Sequence, residues 1–157
     1  IGDFSSLSTV AVNVDITNNP SLLDLSGLTG LREIGQNLYL NSNADLPNLD
    51  GLSSLVSIGS SLQIYNNYSL LSIAALSELA AIGGEISITN NTSLTEIDAL
   101  SSITYLPSRL RISNNLDLTS LAGLSNLSAT GSDVVIQENS SFSPQCKPVP
   151  SNPKFCI

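Results

Sequence analysis

The chain has 157 residues, which suits a single domain, and its hydrophobic fraction of 41% is almost wholly aliphatic because Met and Trp are absent. Only 11% of the residues are charged, and the net charge of -8 argues against sequence-independent binding of nucleic acid and against attraction to an anionic membrane surface. No apolar run is long enough to span a bilayer, so we expect no membrane insertion in this segment. Since the chain begins at Ile1 without Met, we interpret it as a mature or excised segment.

One asparagine recurs with a constant spacing of 24 residues, without an insertion or a deletion. Such a fixed period is the signature of a repeat protein, in which each repeat is one supersecondary unit. We call these residues the marker asparagines: Asn19, Asn43, Asn67, Asn91, Asn115 and Asn139.

Each repeat carries one short strand. The third and fifth residues before every marker asparagine are apolar, as with Leu62 and Ile64 before Asn67. This alternation with a period of two is typical of a strand that has one buried face. The sequence therefore predicts one strand in each repeat.

The rest of each repeat has apolar residues at every third position. Leu46, Leu49, Leu52, Leu55 and Ile58 show this period in the second repeat. A period of three fits neither an α-helix nor a strand, but it fits extended and 3₁₀-like segments that turn one side chain inward at each step. We expect the chain to bend around a core there.

A glycine column lies eight residues before the marker asparagines, where the backbone is expected to turn tightly before it enters the strand. Ala11 and Pro107 occupy this column in two repeats, so a positive φ angle is not required at every turn. The column consists of Ala11, Gly35, Gly59, Gly83, Pro107 and Gly131.

These patterns predict a mainly β protein: a right-handed leucine-rich-repeat or β-helix-like solenoid of about six 24-residue turns with one parallel sheet. The expected domain boundaries are 1–142 for the solenoid and 143–157 for a Pro-rich tail. Cys146 and Cys156 are ten residues apart in that tail, where a disulfide would close a carboxyl-terminal cap.

The strand motif Leu62-Gln63-Ile64-Tyr65-Asn66-Asn67 matches the L-x-L-x-x-N signature of leucine-rich repeats. Ile-Gly pairs such as Ile34-Gly35 and Ile58-Gly59 resemble, more specifically, the receptor L-domain repeat of growth-factor receptors and microbial surface proteins. The resemblance covers about residues 10–142. It implies a cell-surface location and recognition of protein or glycan. Unlike receptor L domains, this chain is strictly regular and has no amino-terminal cysteine cap.

The marker asparagines are expected to be structural, with buried amides that satisfy backbone groups of their own and the neighbouring repeat. Three of them, Asn67, Asn91 and Asn139, also begin N-glycosylation sequons, but an acceptor must be exposed. Asn90 and Asn126 are therefore the better candidates for glycosylation. The alternative is that these triplets arise by chance in a chain rich in Ser, Thr and Asn.

Strand residues that alternate with the core should face outward, where repeat proteins usually recognise ligands. We call this surface the sheet face, and it varies between repeats whereas the core columns hardly change. The candidate ligand-binding residues on it are Tyr39, Asn41, Gln63, Tyr65, Glu85, Arg109 and Arg111. The tyrosines and Gln63 suit a sugar or a protein, and the two arginines form a basic spot next to Glu85. The alternative is a solvated polar face without a ligand.

Catalysis finds little support in the sequence. The chain has no His, which excludes Ser-His-Asp and Cys-His arrangements. Two cysteines without His cannot complete a zinc shell, and no spaced Asp cluster suggests calcium. We predict a protein that is not an enzyme and that needs no cofactor or metal.

At the amino end, Phe4 and Leu7 lead directly into the first strand, and the edge of the repeats is expected to be open there. Three explanations remain: a preceding domain, Phe4 and its neighbours folding over as a minimal cap, or another copy docking at this end. The leading hypothesis is an extracellular recognition or adhesion module for protein or glycan. The alternative is a structural subunit of an extracellular filament or matrix that assembles head to tail with copies of itself.

Overall fold

The computed structural model describes residues 2–139, 141, 148–149 and 152–156, the last two ranges as backbone. Five short 3₁₀ segments connect the strands: η1 (Ser26–Leu28), η2 (Asp50–Leu52), η3 (Ala74–Glu78), η4 (Asp98–Ser102) and η5 (Ala122–Leu124). The strands are β1 (Thr9–Val10), β2 (Val14–Thr17), β3 (Glu33–Ile34), β4 (Leu38–Asn41), β5 (Ser57–Ile58), β6 (Leu62–Tyr65), β7 (Ala81–Ile82), β8 (Ile86–Thr89), β9 (Tyr105–Leu106), β10 (Leu110–Ser113), β11 (Ala129–Thr130), β12 (Val134–Gln137), β13 (Pro148–Val149) and β14 (Asn152–Cys156).

The predicted strands form one six-stranded parallel sheet in the order β12-β10-β8-β6-β4-β2. Every pairing has the same offset of 24 residues, so that Leu38 lies beside Leu62 and Leu62 beside Ile86. Equivalent positions of successive repeats are therefore neighbours in space. This arrangement makes the protein mainly β, with parallel sheets, and it is compatible with a solenoid.

The core lies behind this sheet and consists of the repeating aliphatic columns. Leu46, Leu49, Leu52, Leu55 and Ile58, the predicted series with a period of three, are all buried. The prediction that the chain turns one side chain inward at every third residue is confirmed. Each repeat has too few apolar residues to form a core alone, and the stacked repeats share one core.

The prediction of a single parallel sheet is wrong, because each repeat contributes a second, two-residue strand. Four of these strands form a sheet in the order β1-β3-β5-β7, and β9 pairs separately with β11. The interruption falls at Pro107. The amide of Gly83 donates to the carbonyl of Ile58 (2.9 Å), and that of Gly131 donates to Leu106 (2.8 Å), whereas a proline has no N–H group to donate.

The glycine column is explained by close packing between repeats rather than by backbone conformation. No glycine among the described residues has a positive φ. A Cβ atom at Gly59 would lie 2.1 Å from the carbonyl oxygen of Gly35, and one at Gly83 would lie 2.1 Å from that of Gly59. Glycine is therefore used here because the backbones of neighbouring repeats approach each other too closely for a side chain.

The backbone instead turns through the left-handed region at the residue before each marker asparagine. The φ angles there lie between 56° and 59°, a region that Asn tolerates better than most other residues. The six residues are Asn18, Ser42, Asn66, Asn90, Asn114 and Glu138.

At the carboxyl end, β13 and β14 form an antiparallel pair that joins no other sheet. The predicted disulfide cannot be assessed, because Cys146 lies outside the described residues and the side chain of Cys156 is not described. The predicted boundary at 142/143 likewise lies outside the described residues. Among the described residues, no helix has the length and apolar character needed to cross a membrane.

Candidate functional site

The register of the six-stranded sheet brings most of the predicted ligand-binding residues together. Tyr39 lies beside Gln63, Gln63 beside Ser87, and Ser87 beside Arg111, one residue on each of four neighbouring strands. Neighbouring strands are about 4.8 Å apart, so these side chains form a continuous row. Tyr65 lies in the next outward column, on the same strand as Gln63. We call Tyr39, Gln63, Tyr65, Glu85, Ser87 and Arg111 the central cluster.

Hydrogen bonds fix several members of the central cluster. The amide Nε2 of Gln63 donates to Oε1 of Glu85 at 2.8 Å, which holds that carboxylate against the sheet face. The hydroxyl of Ser87 hydrogen-bonds to the phenol of Tyr65. Ser87 is only 2% exposed, so it forms the floor of the cluster between larger side chains. The sequence analysis assigned Ser87 to the sheet face but did not include it among the candidate binding residues.

The phenol of Tyr65 is the point where these groups meet. Burial raises its pKa above the usual value of 10.0, the Ser87 hydrogen bond lowers it, the negative charge of Glu85 raises it, and the positive charge of Arg111 lowers it. The phenol therefore remains protonated at neutral pH. It presents a half-buried donor that is oriented by its neighbours.

The two arginines of the predicted basic spot have different environments. Nη2 of Arg109 lies 3.3 Å from Oδ2 of Asp133, with the two side chains 45% and 70% exposed, so this ion pair contributes little to stability. Arg111 is half-buried and makes no ion pair with any described carboxylate. The positive charge of Arg111 is therefore available to a ligand, whereas that of Arg109 is partly neutralised.

Asn41, the remaining candidate on the sheet face, is held by its neighbours. Its Oδ1 atom accepts hydrogen bonds from Oγ of Ser42 at 2.9 Å and from Nδ2 of Asn66 at 3.3 Å. The Asn66 carboxamide in turn accepts a bond from Nδ2 of Asn90. Asn41 thus ends a short chain of amides that runs along the left-handed turns, and it is less free to contact a ligand than Gln63.

The structure places the marker asparagines in a ladder that connects neighbouring repeats. Nδ2 of Asn67 donates to the carbonyl of Leu40 at 2.9 Å, and its Oδ1 accepts from the amide of Asn43 at 3.0 Å. Each of these asparagines from Asn43 to Asn139 repeats both contacts with the preceding repeat. Asn43, Asn67, Asn91 and Asn115 are fully buried, whereas the first, Asn19, is exposed.

The two preferred glycosylation candidates differ in accessibility. Asn126 is exposed, and its Nδ2 atom donates to the carbonyl of Ser101 at 2.8 Å. Asn90 is half-buried, and its Nδ2 atom is used in the amide chain. A glycan would displace one exposed hydrogen bond at Asn126, whereas at Asn90 it would also disturb a turn. Asn126 is therefore the better acceptor of the two.

Phe4 and Leu7 do not fold over the end of the sheet. The amide of Phe4 donates to the carbonyl of Gly27, so this segment runs alongside the following repeat. Phe4 is 53% exposed and Leu7 is 36% exposed, which does not support the minimal cap. Together with Val14, Ile16 and other residues they line an open cleft of about 430 Å³.

Among the described residues, no group of three or more His, Cys, Asp or Glu side chains is placed to hold a metal ion. The geometry on the page is that of a mainly β protein with parallel sheets and a polar, partly aromatic sheet face. Comparison of the chain with protein-family models, with curated proteins and with solved structures finds no match. The resemblance to leucine-rich repeats therefore depends on the motif and the repeat geometry.

Proposed function

We propose that this chain is a leucine-rich-repeat solenoid of the receptor L-domain type, with about six right-handed turns, and that it is a non-catalytic extracellular recognition module. Right-handed connections between parallel strands are the general rule and support the handedness. Ser, Thr and Asn dominate the polar surface, which is typical of secreted proteins, and Asn126 offers an exposed acceptor for a glycan.

The sheet face is the proposed binding surface for a glycan or a protein. The observation that carries this proposal is the central cluster, in which Gln63, Tyr65 and Ser87 are already oriented by hydrogen bonds. Groups that are ordered before binding lose less conformational entropy when a ligand arrives. The adjacent core columns are nearly constant, so the varied outward residues are not required by the fold.

An array of glycans and proteins probed with the intact chain tests this function. The double variant Tyr39→Ala/Tyr65→Ala should weaken capture of the ligand about tenfold or more, since buried aromatic anchors dominate many interfaces. Tyr105→Ala is the matched control, because Tyr105 is exposed but lies on β9, outside the six-stranded sheet. Equal capture by the double variant and the control would exclude the sheet face as the binding surface.

A second candidate function is that of a structural subunit that assembles head to tail in an extracellular filament or matrix. The open apolar cleft beside Phe4 and Leu7 favours it, because burial of exposed apolar surface drives association. Light scattering after size-exclusion chromatography should then show a mass that rises with concentration. Phe4→Ser/Leu7→Ser should abolish the rise, and a monomer at all concentrations would exclude this function.

The predicted cap between Cys146 and Cys156 is part of the same proposal, since a disulfide is expected in an oxidising compartment. Intact mass spectrometry before and after reduction should show a gain of two hydrogens per chain. The same measurement detects any glycan on Asn126 or Asn90.

A further inference from the structure

Arg111 is an unusual residue for this chain. The protein has a net charge of -8 and only five Lys and Arg residues, yet this guanidinium is half-buried without a carboxylate partner among the described residues. Asp133 lies one repeat beyond Arg109 and pairs with it, whereas the residue one repeat beyond Arg111 is Val135. A guanidinium that is partly removed from water favours an anionic partner, and here the chain does not supply one.

The surroundings of Arg111 indicate what kind of anion would fit. Ser87 and the phenol of Tyr65 provide hydroxyl groups on one side, and Tyr39 provides an aromatic ring at the far end of the same row. A planar guanidinium binds a carboxylate through two parallel hydrogen bonds. The amide of Gln63 and the ring of Tyr39 are groups that recognise the hydroxyls and the apolar faces of neutral sugar units.

The row also has the geometry of an extended polymer. It contributes one side chain per strand at intervals of about 4.8 Å, which is close to the length of one sugar unit in an extended polysaccharide. A protein partner would normally need a compact apolar centre in the interface, and the sheet face offers only the two tyrosines and Val135. The row therefore favours a glycan over a protein.

The geometry points to a linear acidic glycan as the ligand of the sheet face, lying across the strands with the carboxylate of a uronate unit on Arg111 and neighbouring units on Gln63 and Tyr39. This inference rests on the proposed recognition function and names the ligand class of that same surface. It assigns to Arg111 the role of selecting the charge, and to the tyrosines the role of binding the sugar backbone.

Titration calorimetry with the full chain tests the assignment, using three probes: short 1,4-linked uronate oligomers from pectin and from alginate, the uncharged methyl ester of the pectin oligomer, and a polyglutamate peptide. The uronate oligomers should bind, and the methyl ester should bind about tenfold or more weakly because it lacks the charge-assisted hydrogen bonds. High salt should weaken the uronate complex.

Two arginine variants form a matched pair. Arg111→Gln should weaken uronate binding about tenfold or more and remove the difference between the acid and its methyl ester. Arg32→Gln removes an exposed arginine outside the six-stranded sheet, and it should leave both affinities unchanged. Circular dichroism spectra identical to the parent confirm that each variant is folded.

The remaining outcomes separate this inference from the proposed function. Equal binding of the acid and the ester, or a uronate affinity unaffected by Arg111→Gln, overturns the acidic-glycan assignment. If the loss with Tyr39→Ala persists in that case, the sheet face remains the binding surface. Binding of polyglutamate alone overturns the glycan in favour of a protein ligand, and a uronate affinity unaffected by both the tyrosine and the arginine variants overturns the surface itself.

Discussion

The ladder of marker asparagines should be the main polar determinant of stability, and Asn67 tests this most directly. Asn67 and Asn43 are both fully buried. Asn67→Ala removes the acceptor of the Asn43 amide, at 3.0 Å, and the side-chain donor to the Leu40 carbonyl, at 2.9 Å. Each buried group that loses its partner costs about 1–3 kcal/mol, so the substitution should lower the free energy of unfolding by about 2–6 kcal/mol.

Urea unfolding followed by circular dichroism measures this loss. With a slope of about 1–3 kcal/mol per molar urea, the midpoint should fall by roughly 1 M or more. Asn19→Ala is the matched control, because Asn19 is exposed and its partners can bond to water instead. We expect it to cost less than about 1 kcal/mol.

Asn67→Leu separates hydrogen bonding from packing, because leucine fills a similar volume without polar atoms. It should be about as destabilising as Asn67→Ala if the two lost hydrogen bonds dominate. The reasoning is refuted if Asn67→Ala costs no more than Asn19→Ala, or if Asn67→Leu restores the stability of the parent.

Three further predictions follow from the packing and the site. Gly59→Ala should cost about 1–3 kcal/mol in urea unfolding, because its Cβ atom would lie 2.1 Å from the Gly35 oxygen, whereas Gly2→Ala, with nothing within 4 Å, should be neutral; equal effects would refute the close-approach explanation. Since burial raises the pKa of Tyr65, the neutral phenol stabilises the fold below pH 10.0, and this contribution is lost as pH rises through the folded-state pKa. Alkaline melting curves should therefore fall less steeply for Tyr65→Phe, and identical slopes would contradict this. Pro107→Gly should provide an amide donor to Ile82, so that the amide at position 107 exchanges as slowly as that of Gly83 in hydrogen-exchange measurements; fast exchange would show that the missing donor is not what divides the short-strand sheet.

Much of the fold could be predicted from the sequence because the repeat is regular. A spacing of 24 residues without insertions predicts the register of every pair in the six-stranded sheet, including Leu38 beside Leu62. The periods of two and three predict which aliphatic residues are buried, since only inward positions need to be apolar. The second set of short strands was missed because two-residue strands such as β3 and β5 are too short to show an alternation.

The candidate site was predicted in its location but not in its internal contacts. Tyr39, Gln63 and Arg111 lie in one row because strand register is a property of the repeat. The orientation of Glu85 by Gln63 depends on side-chain positions that no periodicity contains. A small residue within a row of large ones was the available signal for Ser87.

The sequence by itself determined the period, the inward columns and the position of a polar ladder, because these are repeated six times and each repetition reports the same local geometry. Only the tertiary structure decided which contacts cross between repeats. The marker asparagines bond toward the preceding repeat, the left-handed turn falls at the residue before them, and Arg109 rather than Arg111 finds Asp133. These features depend on the distance and direction between neighbouring backbones, which exist only once the repeats are stacked.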